Sequence, residues 1–97
     1  MGYTIYYKIT FRDRRKAIKV IRQILEELGF TLYEKNEEVL IAPPTDSVEL
    51  MRIKENEWLS VKTYKCQPWT GIYKLLLLSL SSFASVEAFD DEGWSLK

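Results

Sequence analysis

The sequence predicts an α+β fold: a two-layer sandwich with two helices packed on one face of a mostly antiparallel sheet of about six strands. Three observations predict it. Two segments repeat their apolar residues at helical spacing. Several shorter ones alternate with period two or are rich in β-branched and aromatic residues. Their order is β-α-β-β-β-β-α-β, and successive strands between two helices favour antiparallel pairing.

Residues 3–10 form the first strand, with Tyr3, Ile5, Tyr7 and Ile9 on one face and Thr4, Tyr6, Lys8 and Thr10 on the other. A helix over 12–28 follows. Thr10 and Asp13 have the spacing of a capping box, and Gly29 stands where a glycine ends a helix. Between them Ala17, Ile18, Ile21, Ile24, Leu25 and Leu28 make one continuous apolar face. Phe30–Glu34 and Val39–Ile41 flank a Lys35-Asn36-Glu37 turn and read as a hairpin. Pro43-Pro44 marks a loop, because consecutive prolines cannot pair in a central strand. Ser47–Lys54 and Trp58–Cys66 read as two strands around Glu55-Asn56-Glu57. Pro68 is tolerable in the first turn of a second helix, which opens at Gln67 and runs to about Phe83. Ser85–Phe89 is the last strand, and Asp90-Asp91-Glu92-Gly93 a turn before a short tail. The β-α-β at each end fits a split βαβ plan with a hairpin added in the middle.

Ninety-seven residues without repeat, linker or low-complexity tract indicate one domain. Apolar residues at 46% and charged residues at 29% exclude a disordered tail. Histidine is absent and Cys66 is the one cysteine, which removes His-based triads, Cys–His zinc sets and internal disulfides. Fourteen basic residues balance fourteen acidic ones, so overall charge points to neither nucleic acid nor membrane. Met1-Gly2-Tyr3 begins no secretory signal, and Tyr6 stands where a myristoylation signal wants Ser or Thr. The longest apolar stretch, Ile72–Leu80, is far below the roughly 20 residues that span a bilayer. These features point to the cytoplasm. Few amides (Gln23, Asn36, Asn56 and Gln67) beside many Glu and Lys point to a heat-adapted source.

Four groups could carry function. Arg12, Arg15, Lys16, Lys19 and Arg22 project opposite the apolar face of the first helix. The helix dipole favours acids early and cations late, yet here the cations come first and Glu26 and Glu27 end the helix. That inversion suggests a bound anion, phosphate or nucleic acid; the ordinary alternative is a solvated face. Asp90, Asp91 and Glu92 offer oxygen ligands but lack the spacing of a calcium loop. Tyr64, Cys66, Trp69 and Tyr73, beside Lys62 and Lys65, could line a pocket or stack on bases. Finally, the apolar residues of the second helix cover about 200° of its circumference, whereas a helix lying on a sheet needs a stripe of about 100°. Trp69, Ile72, Leu75 and Leu78 are therefore candidates for self-association.

Together these features describe a small non-catalytic interaction module, homodimeric, binding a protein or small ligand and using no cofactor or metal. Nucleic-acid or phosphate binding through the basic helix face is the first alternative. A small enzyme using carboxylate, Tyr or Lys groups is the second.

Overall fold

The computed structural model of the chain describes residues 3–96. Met1 and Gly2, read above for export and acylation signals, lie outside the described residues, as does Lys97. The elements are β1 (Thr4–Phe11), α1 (Arg14–Glu27), β2 (Thr31–Lys35), β3 (Glu38–Ala42), β4 (Met51–Lys54), β5 (Leu59–Lys62), α2 (Trp69–Leu80), β6 (Ala84–Asp90) and β7 (Ser95–Leu96). The α+β class and the element order hold, but the strands number seven and fall into two antiparallel sheets. One has the order β5-β1-β6-β7, the other β2-β3-β4.

Long-range partners explain the departures from the expected boundaries. Asp13 caps α1, its carboxylate accepting from Lys16 N at 3.1 Å. Thr10 instead lies in β1 and donates to Asn56, so no capping box forms, and Arg12 precedes the helix. At the other end Gly29, at φ +87°, donates to Glu26 O and Phe30 N donates to Leu25 O. This is a Schellman closure, and the left-handed backbone it needs is open to glycine without a Cβ penalty. The Asn36-Glu37 hairpin loop joins β2 to β3, with Asn36 at φ +57°.

The Ser47–Lys54 strand shortens to Met51–Lys54 because the backbone before it pairs elsewhere. Glu49 N donates to Lys62 O, and the Tyr73 hydroxyl donates to Glu49 O at 2.7 Å. The Trp58–Cys66 strand stops at Lys62, just before Tyr64 and Lys65 enter positive φ. The helix expected over 67–83 is reduced to Trp69–Leu80. The expected last strand gains a residue at each end, taking in Asp90, and β7 pairs with it through Ala88↔Leu96 and Phe89↔Ser95.

β4 and β5 are joined by a tight turn yet belong to different sheets. Tyr7, buried on the inner face of β1, places its hydroxyl against the edge of β4. The hydroxyl donates to Arg52 O and accepts from Arg52 N at 3.2 Å, satisfying both backbone groups on the side of β4 that does not face β3. Of the split βαβ plan only the second half survives: β5 and β6 flank β1, both antiparallel to it, while β2 lies in the other sheet.

α2 packs on β6, and α1 lies beside β2 and α2. The inner faces of both sheets and both helices share one cluster of buried side chains, including Ile5, Ile9, Ile21, Leu25, Val39, Ile41, Met51 and Leu77.

Candidate functional site

α1 and α2 run antiparallel. The start of α1 lies by the end of α2: the Arg12 guanidinium donates to Ser81 O at 2.9 Å, and the Lys16 ammonium sits 5.7 Å from the Phe83 ring centre. At the other end Phe30, just past α1, meets Trp69 edge-on with ring centres 5.8 Å apart. The charge order on α1 therefore has an explanation inside the fold. Arg12 and Lys16 lie at the C-terminal end of α2, where cations are favourable. An inverted dipole no longer requires an external anion.

The remaining cations face the other side of α1. Arg22 is 3.0 Å from Glu34 and 3.8 Å from Glu26, and Arg14 donates to Glu37 O at 3.3 Å. Arg15 and Lys19 have no ion-pair partner among the described residues. With Arg14, Arg22 and Ile18 they border an open hollow whose one acid is Glu34. The five cations predicted as one group thus divide into two.

Between the helices runs an apolar cleft of about 270 Å3, with Ser79 the one polar side chain among its lining residues. Leu75 at its rim is 63% exposed, and Leu78, one turn further out, 51%. Across the cleft Ile24 and Leu28 are each 47% exposed. Both belong to the continuous apolar face that the spacing predicts for α1, and they form its exposed edge along the cleft. Trp69 and Ile72 are half-buried against the core. Of the four self-association candidates, Leu75 and Leu78 therefore present the open surface.

Lys74, the one charged residue of α2, is turned back into the fold. Its ammonium is 3.1 Å from Asp90 Oδ2 and lies over the rings of Tyr3 and Trp94, at 5.1 and 5.0 Å. The outward face of α2 consequently carries no charge.

The acidic triplet does not converge. Asp90 is buried and accepts from the Tyr3 hydroxyl, Lys74, Glu92 N and Trp94 N. Asp91 accepts from Thr4 N at 2.9 Å, and Glu92 pairs with Lys65. Burial pushes the Asp90 carboxyl up, but its donors together outweigh this and hold it down at about 2. Burial and the bond to Asp90 raise the Tyr3 phenol. Burial lowers Lys74, but Tyr3 and Asp90 raise it further than burial depresses it. Each group is moved away from neutrality, the opposite of what proton transfer near pH 7 requires. The arrangement holds the β6–β7 turn to β1 and α2.

Of the Tyr64–Cys66–Trp69–Tyr73 group, Trp69 and Tyr73 stay together, both edge-on to Phe30 at 5.8 and 6.2 Å, but they form core packing and not an open pocket. Tyr73 is fully buried, Trp69 packs against Phe30, and Tyr64 is exposed. An aromatic group lies instead on the open face of the larger sheet. There Tyr6 stacks on Phe89 at 4.9 Å, and Trp58 meets Phe89 edge-on at 5.7 Å. Alternation alone places Tyr6 and Phe89 on outward positions; only the register Tyr6↔Phe89 brings them together.

Among the described residues, no helix is long and apolar enough to cross a membrane. Comparisons with known protein families, with curated proteins and with solved structures give no match.

Proposed function

We propose that this protein is a small, non-catalytic, cytoplasmic interaction module that self-associates through the exposed face of α1 and α2. The observation that carries this reading is the uncharged outer surface of α2: Leu75 and Leu78 stand open while the helix's one charge is directed inward. Soluble surfaces scatter single apolar residues, but contiguous ones rimmed by polar groups mark interfaces. Zero net charge adds no long-range repulsion between copies. The scarcity of Asn and Gln supports a heat-adapted source.

A second reading, anion or nucleic-acid binding, is supported by Arg15 and Lys19, which border the basic hollow without acidic partners among the described residues. A methyl and amide NMR series separates the two. On dilution from millimolar to micromolar protein, signals of Ile24, Leu28, Leu75 and Leu78 should shift while those of Arg15, further round α1, stay. Addition of a single-stranded oligonucleotide at about 50 mM salt, where phosphate contacts are strong, should leave both sets in place. Shifts at Arg15 and Lys19 on that addition would favour the second reading. Invariance of the four apolar residues on dilution would reject the first.

A further inference from the structure

Lys16, Val20, Gln23 and Glu27 recur at i, i+4, i+7 and i+11, so they form one stripe along the outer shoulder of α1, beside Ile24. Lys16, Gln23 and Glu27 are exposed and Val20 is half-buried. The stripe begins on a cation, ends on an anion about 16 Å further along the axis, and is uncharged between. Turned end for end, it is complementary to itself. A partner of uniform charge would be attracted at one end and repelled at the other.

Resting on the self-association reading, we infer that the occupant of this face is a second copy of this chain, related by a two-fold axis perpendicular to the helices. α1 then lies antiparallel on α1, and Lys16 of each copy faces Glu27 of the other. Leu75 and Leu78 meet their own counterparts, which is the isologous contact of a two-fold dimer. A two-fold axis along the helices would instead lay α1 on α2. The outer face of α2 offers no charge, because Lys74 is engaged with Asp90. Lys16 and Glu27 would then be set against leucine, losing water without gaining a partner.

The test uses two charge reversals, Lys16→Glu and Glu27→Lys. Glu27→Lys places a cation late in α1, in agreement with the helix dipole. Lys16→Glu favours the start of α1 but removes a cation from the C-terminal end of α2 beside Phe83. Circular dichroism and urea unfolding therefore establish that each variant is folded before its self-association is read. In an antiparallel pair each reversal alone makes both junctions repulsive. Homodimer dissociation constants from sedimentation should rise at least about fivefold at low salt, and less in 0.5 M salt. Mixed one to one, with one variant mass-tagged, the two reversals make both junctions attractive again, and the heterodimer should form with near wild-type affinity. A dimer indifferent to both reversals, or a mixture that fails to recover, overturns the antiparallel arrangement while leaving self-association standing. A wild-type chain that stays monomeric overturns self-association itself.

Discussion

At the Asp90 carboxylate, four donors replace the water that burial removes: the Tyr3 hydroxyl, the Lys74 ammonium and the amides of Glu92 and Trp94. Removing one member of such a buried pair leaves the other uncompensated. Asp90→Asn should therefore lower stability by about 2–3 kcal/mol at pH 7, read from urea unfolding. The sign of the pH dependence follows from the depressed carboxyl, near 2 against an ordinary 3.8. Its stabilisation is complete above about pH 4 and is lost as pH falls towards 2, amounting to about 2 kcal/mol. The Asp90→Asn protein should lack that component, and equal pH slopes for the two proteins would show that the carboxylate does not stabilise the fold. None of this could be read locally. The triplet looks like an ordinary turn, and Tyr3 stands 87 residues away from Asp90.

Elements were readable wherever their determinants are local. The repeat from Ala17 to Leu25 and the glycine at 29 set α1 to within two residues of its observed ends, and the alternating faces of residues 3–10 placed β1. Boundaries moved where a distant group intervened, as at Glu49, whose backbone bonds to β5 and α2. At the edge of β4 that faces away from β3, one hydroxyl stands where a neighbouring strand would pair. Tyr7 occupies both backbone groups of Arg52, and no pattern in β4 announces it. Tyr7→Phe keeps the ring but leaves the partly buried Arg52 N–H and C=O without that partner, which costs about 1 kcal/mol. The expected result is that loss in denaturant unfolding, with amide exchange at Arg52 accelerated more than at Val39. Uniform acceleration across the smaller sheet would mean that the hydroxyl does not act at this edge.

Across the whole molecule, the sequence pointed to a surplus of apolar surface on α2 but could not say which part the fold covers. Thr70, Tyr73, Leu76, Leu77 and Leu80 turned out to be enclosed, and Leu75 and Leu78 remained outside. It also offered no sign that Ile24 and Leu28 would join them, because helical spacing gives a face and not the width that neighbours will cover. The basic helix face was recognised as a group, and its division followed only from the antiparallel placement of α2. Self-association through the two-helix face is tested most directly by sedimentation equilibrium across micromolar concentrations, for the wild-type chain and for Leu78→Glu. The wild type should approach twice the 11.5 kDa chain mass, and the folded Leu78→Glu protein should remain at the single-chain mass under the same conditions. A wild type at 11.5 kDa throughout, or a Leu78→Glu protein that dimerises equally well, would contradict it.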